Sequence, residues 1–358
     1  MRHRRWFLYQ FVAILVTSAL WVIGCQAQPP SSSPNAASSP AATTVLLNGT
    51  GATFPLFLYQ RWFSEYSKQH PEVQINYQPT GSAVGIQQVI SETIDFGGSD
   101  VPLTDEEIAQ VERGVVMLPV TAGSVAVAYN LPGIESGLRL SRQALVDIFL
   151  GKITQWNDST LTAANPDITL PDLPITVVYR SDGSGTTAAF TNHLNAISPE
   201  WQQQMGTGLN VEWKTGVGIK SNAGVSAQIQ QAQGTIGYVE YSYAKQLQMA
   251  IAALENKAGN SVLPTPASMA AVINSVALPD DLRVIIPDPD GAEAYPIVTY
   301  SWLLAYKTYD DPNKANVLRD VMQWGLTEGQ AFSEELGYVP LPSQVTEQVA
   351  AAIQQIKS

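Results

Sequence analysis

Ile175-Thr-Val-Val-Tyr-Arg-Ser-Asp-Gly-Ser-Gly-Thr-Thr187 is the stretch that decides the fold. Its first five residues are mainly β-branched, the composition of a short buried strand. The glycine and serine turn that follows opens a helix carrying Phe190 and Leu194. Strand, Gly/Ser/Thr turn and helix in direct succession is the unit from which α/β folds are built.

The same unit recurs on the N-terminal side. Val45-Leu46-Leu47 reads as a strand, Gly51-Ala-Thr-Phe-Pro55 as a turn, and Leu56, Tyr59, Trp62, Phe63 and Tyr66 recur at helical spacing. Val73, Ile75 and Tyr77 alternate as a second strand, and Thr80-Gly-Ser-Ala83 leads into a helix with Ile86, Val89 and Ile90. Thr104-Asp-Glu-Glu107 is a capping box. Val115–Val120 and Val125–Tyr129 read as two strands, and Ser141 starts a helix through Leu145, Ile148 and Phe149. Strands near Ile236–Val239 and Ile297–Tyr306 follow, with helices on Val317, Val321 and Trp324 and on Val345, Val349 and Ile353. The expected architecture is α/β, mostly parallel sheets with helices on both faces, where ligands gather beyond the carboxyl ends of the strands.

Three of the turns share one chemical design. Each places free backbone N–H groups at the positive end of a helix dipole. Thr53, Ser82, Ser184 and Thr186 add hydroxyl donors, and glycines let the backbone approach a ligand closely. Taken singly, such Ser and Thr residues most often only cap their helix. Three together with Arg180, whose planar guanidinium can grip an oxyanion with two N–H bonds, point to anion binding. Asp182 stands close enough to hold Arg180. Asp100, read alone, is a turn aspartate, since a carboxylate in an anion cleft repels its guest.

Arg2, Arg4 and Arg5 precede an apolar run from Trp6 to Gly24, the pattern of an export signal. A membrane-spanning helix is the alternative, but the only cysteine of the chain, Cys25, closes the run as in a lipoprotein signal. Arg4-Arg5-Trp6-Phe7-Leu8 also resembles a twin-arginine export core. Residues 26–44 are Ser, Pro, Ala, Asn, Gln and Thr without charge, too polar to bury a core, and read as a tether. Removing residues 1–24 leaves 334 of 358 residues, natural for two domains, with 31 acidic against 16 basic side chains, a charge of about −15. Nucleic acid is thereby excluded as a partner. An anion that binds against this field must be held by local, desolvated donors.

Gly51-Ala-Thr-Phe-Pro55, Asp95-Phe-Gly-Gly-Ser-Asp-Val-Pro-Leu103, Gly151-Lys-Ile-Thr-Gln-Trp-Asn157, Arg180-Ser-Asp-Gly-Ser-Gly-Thr186 and Gly234-Thr-Ile-Gly-Tyr-Val-Glu-Tyr241 closely resemble the motifs of the Pst-type periplasmic phosphate-binding proteins, in the family's order. The resemblance runs from about Leu46 to the C-terminal helix. It implies a two-lobed periplasmic-binding-protein fold, type II-like, with two hinge crossings and the ligand cleft between the lobes. Lobe I would comprise 45–120 plus 294–358 and lobe II 121–293. It implies phosphate held by Thr53, Phe54 through its backbone, Ser82, Asp100, Arg180, Ser184, Gly185 and Thr186, with Asp182 orienting Arg180. It implies a monomer outside the cytoplasmic membrane that delivers inorganic phosphate to an ABC transporter permease and uses no cofactor; the placement of Cys25 adds a lipid anchor. Asp100 then becomes an acceptor that reads the proton phosphate carries and sulfate lacks. One departure is Gly81-Ser-Ala-Val-Gly85, poorer in Ser and Gly than the family's pattern, which leaves the donors of that loop open.

Other chemistries fit less well. Sulfate or molybdate would suit the same architecture, but Asp100 opposes them. A serine hydrolase built on Ser184 would need a base, and Asp-Gly-Ser-Gly is not the nucleophile elbow; beyond the export segment the histidines are His70 and His193 alone, both on helical segments. His/Cys pairs at metal-ligand spacing are absent. Trp62, Trp156, Trp201, Trp213 and Trp324 fall in core contexts, which argues against a sugar platform.

Overall fold

The computed structural model describes residues 44–358; the export segment, Cys25 and all of the 26–44 tether except Thr44 lie outside the described residues. Its strands are β1 (Val45–Gly51), β2 (Val73–Pro79), β3 (Phe96–Ser99), β4 (Val115–Tyr129), β5 (Arg139–Leu140), β6 (Thr176–Arg180), β7 (Val217–Ile219), β8 (Thr235–Glu240), β9 (Ala250–Ile251), β10 (Ala253–Glu255), β11 (Ser261–Val262) and β12 (Val298–Tyr306). Nine of them form one sheet in the order β2-β1-β3-β12-β4-β8-β6-β7, with β9 also on β4; β11, β10 and β5 form a small second sheet.

The sheet is mixed, which corrects the expectation of mostly parallel strands. Its flanks are parallel, β1 with β2 and β3, and β6 with β7 and β8. Its centre is antiparallel, because the late strand β12 inserts between β3 and β4, and β8 returns against β4. Only a chain that comes back from a distant segment can do this, and no local pattern announces it.

The two strands expected at 115–120 and 125–129 are one, β4, buried along all 15 residues. Thr121-Ala-Gly-Ser124 looked like a break. Instead Ala122 exchanges backbone hydrogen bonds with Val339, and the Thr121 hydroxyl donates to the Val339 carbonyl at 3.2 Å. Glycine is required at 123, where a Cβ would stand 2.7 Å from the Phe54 ring. Along β4 the partner changes: residues up to Ser124 pair with β12, and Val125 onward with β8.

This handover places the site. β1 and β3 run parallel to β4, whereas β6 and β8 run against it. Both flanks therefore aim their carboxyl ends at the level of Ser124 and Val125, where Glu240 ends β8 opposite Val125. One large apolar core spans both flanks; a smaller one, with Val178, Val225, Ile229 and Val239, seats the helix Ser221–Gln231 on the other face. Trp62, Trp156, Trp201 and Trp302 are fully buried, each indole N–H donating to a carbonyl, so tryptophan serves packing here. Among the described residues no helix is long and apolar enough to cross a membrane.

Candidate functional site

β1 ends at Gly51, and Ala52-Thr-Phe-Pro55 carries the chain into the helix Leu56–Gln69, whose N-terminus has no side-chain cap. The helix Ser82–Ile90 after β2 likewise starts without one. Uncapped first turns leave N–H groups free for an anion. Thr53 and Phe54 are buried, and tyrosines fix their backbone: the Tyr243 hydroxyl donates to the Thr53 carbonyl at 2.8 Å and the Tyr338 hydroxyl to the Phe54 carbonyl at 2.7 Å.

On the other flank β6 delivers Arg180, 2% exposed despite its charge. Asp182 grips the guanidinium with both oxygens, at 2.7 Å to Nε and 2.5 Å to Nη2. The Ser221 N–H donates to the same carboxylate at 3.1 Å. Burial alone would raise the Asp182 pKa, but the Arg180 hydrogen bonds and charge outweigh it and hold the group below its ordinary value. Nη1 is left facing the Thr186 hydroxyl at 3.5 Å. A charge-assisted fork pinned on one side and open on the other is built to take a second anion.

Asp100 follows β3 and is 3% exposed. Ser301 of β12 donates to its Oδ1 at 2.7 Å and Ser82 to its Oδ2 at 3.3 Å. Burial pushes its pKa up to about 7, against the opposing pull of Ser301, Arg180 and Ser82. It is a carboxylate kept near its titration point, not the solvated turn residue that its local sequence suggests.

The two flanks touch through this cluster. The Gly185 N–H, first of the helix Gly185–Ile197, donates to Ser82 Oγ at 3.2 Å, and the Ala83 N–H to the Gly183 carbonyl at 3.1 Å. A Cβ on Gly185 would lie 2.5 Å from Asp100 Cβ and 2.6 Å from Ser82 Oγ, so only glycine allows this approach. The departure at Gly81–Gly85 is thereby resolved in part: Ala83 spends its N–H on the opposite loop, Val84 is exposed, and Ser82 supplies that loop's hydroxyl. The Ser184 hydroxyl accepts the Thr187 N–H at 3.2 Å and so does cap its helix, while keeping its own hydrogen.

All eight anticipated ligand residues and Asp182 thus fall in one cluster. Ser301 and Asn222 were not anticipated. Asn222 is buried and its amide donates to Thr53 Oγ1 at 2.9 Å and to Thr186 Oγ1 at 3.2 Å. No motif marks either residue; each joins through a pairing of distant segments.

A family model described as a PBP superfamily domain matches residues 34–328. Phosphate-binding protein PstS of Pasteurella multocida is 42% identical over 308 residues, covering 85% of this chain and 89% of that one. Its counterpart from Xylella fastidiosa is 39% identical over 353 residues, 95% of this chain and 96% of the other. The chain belongs to the PstS family. A crystal structure of a phosphate-binding protein from Stenotrophomonas maltophilia superposes with a TM-score of 0.70 at 20% identity, over 86% of this chain and 94% of that one, a likeness of fold alone. The mixed α/β sheet agrees with the two-lobed fold of the periplasmic binding proteins.

The PstS-family assignment leaves little room for hydrolysis at Ser184. The Ser184 hydroxyl has no histidine among its partners; His193 Nδ1 faces the Pro287 carbonyl at 2.9 Å, and His70 ends the helix Leu56–Gln69 beside Glu72. Among the described residues no group of three or more His, Cys, Asp or Glu side chains is placed to hold a metal.

Proposed function

We propose that this chain captures inorganic phosphate between two lobes, 45–120 plus 294–358 and 121–293, and delivers it to an ABC import permease. It is a binding subunit and not an enzyme. Family membership and the names of the relatives support phosphate as cargo. The observation that carries the reading is the pairing of opposites in one buried cluster: Arg180 held by Asp182 as a cationic clamp, and Asp100 as an acceptor beside hydroxyl and N–H donors. A site meant for any dianion needs the clamp alone; the acceptor suits an oxyanion that still carries a proton. Thr53, the Phe54 N–H, Ser82, Ser184, Gly185 and Thr186 complete the shell. Export by residues 1–25, lipidation of Cys25, a periplasmic or extracytoplasmic place at the membrane and a monomeric state belong to the same reading, and the anionic surface suits a basic rim on the permease.

Calorimetric titration of the full chain, purified in mild detergent and stripped of ligand, tests the reading. Tight heat-releasing binding of phosphate with sulfate silent is expected. Absence of phosphate binding overturns it and leaves sulfate and molybdate as the next titrants. Gly185→Ala should weaken phosphate by about 100-fold while leaving the melting temperature of the ligand-free protein nearly unchanged, because the added methyl obstructs closure and not folding. Affinity within threefold of wild type would show that the loops need not meet this closely.

A further inference from the structure

We infer that Asn222, which lies outside the phosphate shell proposed above, is the residue that orients the Thr53 and Thr186 hydroxyls as donors toward the bound anion and latches the two loops together. The inference rests on the phosphate reading. A threonine hydroxyl can donate or accept, so by itself it is indifferent to what faces it. Here the Asn222 amide occupies the oxygen of each: Nδ2 donates to Thr53 Oγ1 at 2.9 Å and to Thr186 Oγ1 at 3.2 Å, using both of its hydrogens. Arg180 Nη1 approaches Thr186 Oγ1 as well, at 3.5 Å. Thr186 Oγ1 thus has both lone pairs engaged by N–H donors and only its hydrogen to offer, while Thr53 Oγ1 has one engaged, which turns its hydrogen away from Asn222; both hydrogens suit an anion's oxygens.

The amide cannot reverse its orientation, because its Oδ1 accepts the Glu240 N–H at 3.1 Å, and a main-chain N–H only donates. Its placement depends on an uncommon backbone. Ser221 has φ 65°, left-handed for a non-glycine residue, at the first turn of the helix Ser221–Gln231. Its N–H is tied to Asp182, the carboxylate that holds Arg180. Strain of this kind persists where neighbours over-determine it and gathers at functional sites. One short segment therefore aligns the arginine clamp and both hydroxyls.

Asn222 is a positioning residue, so its removal should act through the hydroxyls. Asn222→Ala is expected to weaken phosphate by about 50-fold, chiefly by faster release, since losses of contact around a bound ligand act mostly on dissociation. In the Thr53→Val background the same change should cost at least about fivefold less, because one of the two groups it aligns is gone. Asn222→Asp, of equal size and still able to accept the Glu240 N–H, guards against a folding failure and should bind at least as weakly as the alanine variant. Phosphate titration, release of radiolabelled phosphate and melting of the ligand-free full-length proteins read these effects. Wild-type binding with both Asn222 variants within threefold of it, or penalties that simply multiply with Thr53→Val, overturns the inference alone. A wild-type protein that binds no phosphate overturns the functional reading and this inference with it.

Discussion

Arg180→Ala should abolish measurable phosphate capture, weakening it by about 1,000-fold or more. The guanidinium is buried, it is the cation of the cluster, and Asp182 consumes only the Nε and Nη2 side of its fork. Removing it deletes charge-assisted donors and strands Asp182; breaking a buried pair in this way costs about 3–5 kcal/mol. Part of that cost falls on stability. Asp182 is held below its ordinary pKa in the folded state, so it stabilises above the usual carboxylate range and loses that contribution as pH falls. Arg180→Ala should flatten this acid dependence as well as lower the melting temperature. Arg180→Ala combined with Asp182→Ala should recover stability but not binding, which separates the two effects. Arg180→Lys keeps the charge but not the planar fork and should remain at least about 100-fold weak. Calorimetry at pH 8 and melting curves at pH 3 and 8, which bracket the Asp182 window, check all three, and near-native affinity in Arg180→Ala would remove the clamp from the mechanism.

Asp100→Asn should let sulfate in. A carboxylate accepts hydrogen bonds and cannot give one, so at pH 8 it sets lone pairs against sulfate, a penalty of a few kcal/mol in a dry site. An asparagine can turn its amide toward the anion, and sulfate affinity should rise by about 100-fold while phosphate loses about tenfold. The elevated pKa adds a pH signature. Asp100 titrates near 7 because burial disfavours its charge, so below that pH the wild-type group gains a proton to donate. Sulfate binding by the wild type should therefore strengthen from pH 8 to pH 5, and Asp100→Asn should abolish that slope. Stability follows the same sign. With a folded pKa raised from 3.8 to about 7, the contribution of Asp100 is full below about pH 3.8 and is lost as pH rises through about 7. A ligand-free melting temperature of Asp100→Asn that tracks the wild type across this range would refute the assignment of the proton.

The contrast between Arg180 and Asp100 also separates what is local from what is not. Arg180, Asp182 and Thr186 lie within seven residues, at a strand end and a helix start, and backbone geometry alone brings such neighbours together. The gripping of Arg180 by Asp182 was legible for that reason. So were the helix starts at Leu56, Ser82 and Gly185, because caps, turns and apolar spacing are interactions of range four or less.

From its neighbours in sequence Asp100 reads as a turn residue, and its acceptor role entered only through the family resemblance, because everything that makes it special arrives from elsewhere. Ser301 is 201 positions away and meets it since β12 pairs antiparallel with β3, Trp302 opposite Ser99. The same insertion of β12 made the sheet mixed and joined two expected strands into β4, whose Gly123 and Ser124 look like a break until Val339, β12 and the Phe54 ring are packed around them. Asn222 reaches Thr53 across 169 positions. By itself the sequence determined the α/β units, the three donor loops and the residues that carry charge, all through short-range covalent and helical geometry. The tertiary structure alone decided strand order, the raised pKa of Asp100 and the roles of Ser301 and Asn222, because burial and long-range pairing exist only once distant segments share a core.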